Sequence, residues 1–317
     1  MKPMSLFLKL VRWPNLVFIL LTQILFEFCI LRPLLMKTTA LVSGHAYAFI
    51  LVAVAYVLIA AAGYIINDYF DIPIDIINKP DKVFITNGMS KETALGIYGA
   101  MNLLAITLGW LASNLLHNHS PLIFITTCVI LLFLYSAIMK KQFLIGNVMV
   151  SAIVASAMPV LFCMEMNMDL LLPAADSHPA IMLLSGITYS YTGFAFIISF
   201  SREMIKDLED IEGDKQFGGR TVPIVLGASS AHRIVGGTLL ILIFVLIYLL
   251  SAVWLKISGS LILTLYTILL VIIPLTLILW KLFNARQKID YQQLSSLIKK
   301  VMLSGILSML LYKFFTL

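Results

Sequence analysis

YAFILVAVAYVLIAAAGYIINDYFDIPID, residues 47–75, opens with twenty residues free of charge and closes with Asp68, Asp71 and Asp75 inside eight. A helix of about 20 apolar residues crosses the hydrocarbon core of a bilayer. The carboxylates therefore fall where such a span meets water.

The rest of the chain extends this pattern. Of 317 residues 61% are hydrophobic and only 12% charged, a composition suited to the bilayer rather than to a soluble domain. Nine apolar spans are read at 15–36, 47–66, 93–114, 121–139, 143–163, 180–200, 233–254, 258–281 and 298–316. The short alternating segments of a β-barrel are not visible. The fold class is all-α, a polytopic helical bundle, and with no Gly/Ser linker or low-complexity tract one membrane domain over 1–317 is expected.

The net charge of +6 has a topological reading. With the N-terminus inside, the inner segments carry 18 of the 22 Lys and Arg, and only Arg32, Lys37, Lys256 and Lys313 lie outside. This matches the positive-inside rule and predicts an N-terminus and polar loops facing the cytoplasm of a plasma (inner) membrane. Basic charge here calls for no nucleic acid. Cys29, Cys128 and Cys163 all fall in apolar spans and read as buried small hydrophobes, not as a disulfide or a zinc site. The first span has no small-residue cleavage site and is expected to be retained. Glu27 is the main charge inside a span, and a partner within the bundle is expected for it.

The chain also repeats itself. Asp207, Asp210 and Asp214, in KDLEDIEGDK (206–215), have the i, i+3, i+7 spacing of the first cluster at an offset of 139 residues. Each cluster follows an even-numbered span, the second and the sixth, which suggests two related four-helix halves plus a ninth helix. On a helix those positions share a face. Carboxylates ~6 Å apart repel by roughly 3 kcal/mol per pair at an effective dielectric near 20. Divalent cations relieve this naturally, since Mg²⁺ takes oxygen ligands from a few carboxylates and from substrate phosphates. Solvated helix caps would account for one such cluster but poorly for two at repeat-related positions. An ion-coupled transporter is a further reading, although the acids sit at span ends and not at the midplane.

Asn67-Asp68-x-x-Asp71-x-x-x-Asp75 and Asp210-x-x-x-Asp214 resemble the paired NDxxDxxxD and DxxxD motifs of the UbiA-type intramembrane prenyltransferase superfamily. Arg12-Trp-Pro-Asn15, Asn78-Lys-Pro-Asp-Lys82, Tyr135-Ser with Lys140-Lys141, and Gly219-Arg-Thr-Val-Pro223 extend the likeness over essentially the whole chain. The run 202–215 looks most like the geranylgeranylglyceryl phosphate geranylgeranyltransferase branch.

The resemblance implies an enzyme using a polyprenyl diphosphate donor and Mg²⁺, with the prenyl tail in the lipid bilayer. Asp68, Asp71 and Asp75 would hold one metal ion, Asp210 and Asp214 the other, and Asn67 would orient the diphosphate or a metal-bound water. Asp71 and Asp210 thereby become the acids on which catalysis hangs. Lys82, Lys141, Arg202 and Lys206 are the implied diphosphate contacts, with Asn15, Asp207 and Tyr135 as additional candidates. The acceptor is a glycerol-phosphate-type lipid hydroxyl or, alternatively, an aromatic quinone-type ring. A phospholipid synthase is disfavoured, because its different metal motif is missing here.

Overall fold

In the computed structural model, which describes residues 3–37, 44–78, 83–86, 88–166, 179–254 and 261–315, the described residues are almost entirely helical. A short α1 (Pro3–Leu10) precedes α2 (Trp13–Phe26), which continues through a π-helical turn (Glu27–Leu31) into α3 (Arg32–Leu35). There follow α4 (His45–Asn78), α5 (Lys91–Leu116) and α6 (Ser120–Ala137), then a 3₁₀ turn (Met139–Lys141), α7 (Ile145–Ala155) and α8 (Pro159–Glu165). The remainder comprises α9 (Pro179–Glu209), α10 (Ile211–Gln216), α11 (Val222–Leu226), α12 (Ala228–Trp254), α13 (Leu261–Thr267), α14 (Ile273–Asn284), α15 (Lys288–Leu307) and α16 (Met309–Phe315).

Eight of the described helical stretches are long and apolar enough to span a bilayer, and α7 with α8 makes a ninth that is bent by 48°. The expected nine spans are thus present, but several ends move. The last span begins at Lys288, ten residues earlier than hydropathy suggested, and the fifth is broken around Pro159. The two spans that carry acids overrun their predicted ends: α4 continues through Pro73 to Asn78, and α9 reaches Glu209. Pro73 lacks a backbone donor, yet it does not end α4.

The described residues form two large apolar cores, and the first reaches beyond the first four spans into the broken fifth and the start of α9. One joins Phe26, Ile30, Val52, Tyr56, Ile125 and Phe162. The other joins Met204, Val235, Leu275, Leu282, Leu294 and Ile298. Cys29, Cys128 and Cys163 are buried free thiols, in keeping with their reading as small hydrophobes. The last span packs on α9 and α14 and also reaches α2, bringing the two ends of the chain together.

Glu27 has the partner expected of it. The π turn opens at Glu27, and His45 Nε2 lies 2.5 Å from its Oε1 while His45 Nδ1 pairs with Glu165. Glu165, which hydropathy placed at the edge of an outer loop, is instead enclosed in the bundle. All three side chains are nearly inaccessible. A histidine with both ring nitrogens on carboxylates is a shared cation, which is how charge is tolerated inside an apolar core. This cluster ties the start of α4 and the end of α8 to the π turn inside the first span, far along α4 from its aspartates.

Candidate active site

Asp68, Asp71 and Asp75 project from the overrun of α4, and cations meet two of them. Arg12 Nη2 donates to Asp68 Oδ1 at 2.5 Å. The Lys140 ammonium donates to Asp71 Oδ2 and, at 3.3 Å, to Asn67 Oδ1, while Asn67 Nδ2 donates to Asp71 Oδ2 at 2.8 Å. Asp71 is only 5% exposed, so its charge depends on these donors.

Local backbone geometry delivers both cations. Arg12 sits in the left-handed region (φ 51°) at the break between α1 and α2, and its guanidinium lies 4.7 Å from the centroid of the Tyr64 ring. Lys140 rides the 3₁₀ turn after α6. That turn is closed by Leu144 at φ 59° and by Gly146, where a Cβ would come within 2.8 Å of the Met139 carbonyl oxygen.

The second cluster is presented differently. Asp207 lies in the last turn of α9 and accepts from Asn147 Nδ2 of α7 at 2.8 Å. Asp210 occupies the break after α9, and Asp214 lies in α10, which rests against α4. Gly219 closes the following turn, donating its N–H to the Asp214 carbonyl at 2.7 Å; a Cβ there would meet that same oxygen at 2.8 Å.

The two clusters face one another across Lys140. Burial works against its ammonium, but Asp71, Tyr135 and Asp214 hold its pKa above the ordinary lysine value. Acids from both motifs therefore act on one nitrogen. Arg12 behaves similarly: burial opposes its charge, and Asp68, Tyr64, Asp71 and Asp75 together raise its pKa.

Of the residues proposed from sequence, Asn67, Asp68, Asp71, Asp75, Asp207, Asp210, Asp214 and Tyr135 gather on these walls. Asn15 joins them through Tyr64, whose hydroxyl accepts from Asn15 Nδ2 at 2.9 Å. Lys141 is exposed, and its neighbour Lys140 makes the contact with Asp71. Lys82 lies outside the described residues. Arg202 and Lys206 are near but engaged elsewhere, both donating to Glu203 Oε1, at 3.1 and 2.7 Å. Sequence reasoning passed over Arg12 as a ligand of the first cluster, Glu203, Asn147 and Lys299. Only Arg12 carried a signal, as the first residue of the RWPN stretch.

A divalent cation suits this donor set, which is all carboxylate and amide oxygen. Among the described residues no three His, Cys, Asp or Glu side chains converge on one point. A metal here would share its coordination between one or two carboxylates and oxygens of a bound phosphate, the usual arrangement for Mg²⁺. Arg12 and Lys140 hold positive charge against the same acids.

The fold, the nine spans and the opposed clusters define a class, and comparison with known proteins gives the same one. The UbiA prenyltransferase family matches residues 28–303, and this chain belongs to that family. It is a multi-pass integral membrane protein. A digeranylgeranylglyceryl phosphate synthase of Thermococcus sibiricus is 33% identical over 174 residues, 54% of this chain and 54% of the relative. The chain thus spans about half the length of that relative. A solved structure concerned with digeranylgeranylglyceryl phosphate synthase superposes with a TM-score of 0.60 at 20% identity, covering 98% of this chain and 99% of the other. A UbiA homologue from Archaeoglobus fulgidus bound to GPP and Mg²⁺ gives 0.59 at 15% identity over 96% of this chain and 99% of its own. At those identities the likeness establishes the fold.

Proposed function

We propose that this protein is a Mg²⁺-dependent intramembrane prenyltransferase acting as a digeranylgeranylglyceryl phosphate synthase. It moves a geranylgeranyl group from its diphosphate to the free hydroxyl of a glycerol-phosphate-type lipid. The observation that carries the reading is the pair of acidic clusters facing each other across Lys140. The names of the relatives support the acceptor, and the A. fulgidus neighbour supports a prenyl diphosphate with Mg²⁺. The chain works as a single membrane domain in the plasma (inner) membrane, with its N-terminus and this site toward the cytoplasm, as the distribution of Lys and Arg supports.

One or two of Asp68, Asp71 and Asp75 would hold one Mg²⁺, and Asp210 with Asp214 the other, the remaining positions falling to phosphate oxygens. When bound, the ions neutralise the diphosphate and stabilise the negative charge that grows on it as the leaving group departs. Lys140 and Arg12 add fixed positive charge at the same place, and Asn67 orients Asp71. The bond from the allylic carbon to the diphosphate oxygen breaks, the acceptor oxygen bonds that carbon, and the hydroxyl proton passes to the departing diphosphate. Glu203 is a poor base for that proton, because Arg202 and Lys206 both hold its Oε1. Tyr135 and Tyr64 are the aromatic candidates for a developing allylic cation, which is attracted to π-systems, and one face of the Tyr64 ring is already covered by Arg12. Tyr191 is excluded from that role: it lies 16 residues before Asp207 on α9, about 24 Å away, and shares a hydrogen bond with Ser308 at 2.6 Å.

The test is mass-spectrometric product analysis with purified protein in lipid nanodiscs, geranylgeranyl diphosphate and Mg²⁺. Geranylgeranylglyceryl phosphate, dihydroxynaphthoate and hydroxybenzoate are offered as acceptors. A dialkylated glyceryl phosphate is expected. Prenylation of an aromatic ring alone overturns the acceptor, and no product from any of the three overturns the enzyme reading.

A further inference from the structure

Four cations come together beside the acidic clusters, and they are not matched by acids. Arg12 is paired with Asp68, and Glu203 is shared between Arg202 and Lys206. Lys299, from α15, has a neutral partner: its Nζ donates to Asn15 Oδ1 at 3.0 Å. It stands within electrostatic range of Arg202, Arg12 and Glu203, and Lys206 within range of Arg202 and Arg12. Four positive charges thus sit with two carboxylates in direct contact. The Nε–H of Arg202 is buried and lacks a hydrogen-bond partner. A buried donor left unmade costs about 1–3 kcal/mol, more when the group is charged.

This arrangement has the needs of an anion site that is complete only when occupied. The local surplus of two charges equals the charge of a phosphate monoester. An Arg with an uncommitted N–H edge and a Lys on a neutral amide are the donors such a dianion uses. Direct contacts separate these cations from Lys140: Lys140 meets Asp71, whereas Arg202 and Lys206 meet Glu203 and Lys299 meets Asn15. The chain Lys299–Asn15–Tyr64, with Arg12 over the Tyr64 ring, links the two places.

We infer that Arg202, Lys206 and Lys299 form a second anion subsite, which binds the phosphate monoester of the acceptor and so selects a phosphorylated glycerol over a neutral or aromatic one. This rests on the prenyltransferase reading and withdraws Arg202 and Lys206 from the diphosphate. Arg12 lies between the two subsites and serves both.

Kinetics and binding test it separately. In Lys299→Met and Arg202→Gln the KM for geranylgeranylglyceryl phosphate should rise ~10-fold or more, the size of a lost charge-assisted hydrogen bond. The KM for geranylgeranyl diphosphate should move less than about 2-fold on the same scale. Lys140→Met should show the reverse pattern, and Lys299→Arg should restore most of the acceptor KM. Independently of turnover, sn-glycerol 1-phosphate should raise the melting temperature of the wild-type protein without metal or donor, and Lys299→Met should lose that shift. A donor KM that rises in Lys299→Met and Arg202→Gln while the acceptor KM stays within twofold overturns the inference. So does a melting shift that both variants retain. If the wild type transfers nothing, the functional reading falls, and the melting experiment still decides the anion subsite.

Discussion

The two acidic clusters share one spacing and differ in how the chain presents them. Asp68, Asp71 and Asp75 ride an unbroken helix, fixed relative to one another by its hydrogen bonds. Asp207, Asp210 and Asp214 are divided among the end of α9, the break after it and α10. The first cluster is met by cations from other elements of its own half, Arg12 and Lys140; Asp207 of the second is met by a neutral amide, Asn147. The same spacing in sequence thus gives a rigid acidic face in one place and a jointed one in the other. A jointed face can close on a ligand, and α10 already leans on α4.

Removing a carboxylate from either face probes what they have in common. Asp71→Ala and Asp214→Ala should each lower prenyl transfer by ~10³-fold, comparable to loss of a principal electrostatic stabiliser, measured as product formed at saturating Mg²⁺. Equal losses would mean the two faces act together; full activity in either variant breaks the site.

The joint is tested next. Gly219→Ala pushes a methyl group against the Asp214 carbonyl and should cost ~10²-fold in kcat/KM through misplacement alone. Its rigid-face counterpart, Pro73→Ala, should change the rate by less than about 3-fold, since Pro73 is exposed on a helix that continues past it. Reversal of that order would show α4 to be the adjustable element.

Asp207→Asn separates the third members. Asp207 is held by Asn147, so the variant should keep activity within ~10-fold, whereas Asp68→Asn, which also strands Arg12, should lose more. Equal effects would restore Asp207 to full membership of the metal site.

The smallest effect concerns pH. The Lys140 pKa is raised in the folded protein, so its stabilisation is complete below the ordinary lysine value of ~10.4 and is lost only as pH climbs through the raised one. The difference in melting temperature between wild type and Lys140→Met should stay constant from about pH 7 to 9. A difference that shrinks across this range would remove Lys140 from between the acids.

The bundle was legible because twenty-residue apolar runs have one physical solution in a bilayer, and the acids because their spacing is local and repeated. Span ends were less so. Hydropathy falls when carboxylates appear, although α4 and α9 remain helical there, stabilised by packing that no window of sequence contains. Lys140 and Lys141 are indistinguishable in composition, and only the 3₁₀ turn closed by Leu144 and Gly146 decides which reaches Asp71. Glu165 read as loop because its partners, Glu27 and His45, are 138 and 120 residues away. Lys299 was discounted as topological charge; its contact with Asn15 bridges 284 positions.

That last contact bears on how the protein is made. Synthesis proceeds from the N-terminus at ~5–20 residues per second, and Lys299 follows Asn15 out of the ribosome by 284 residues. Until α15 enters the membrane, Asn15 waits without its lysine and the polar wall stays open. A nascent chain that has passed Asp214 but not α15, or a product cut short between them, should carry the aspartates yet lack the seat for its second ligand.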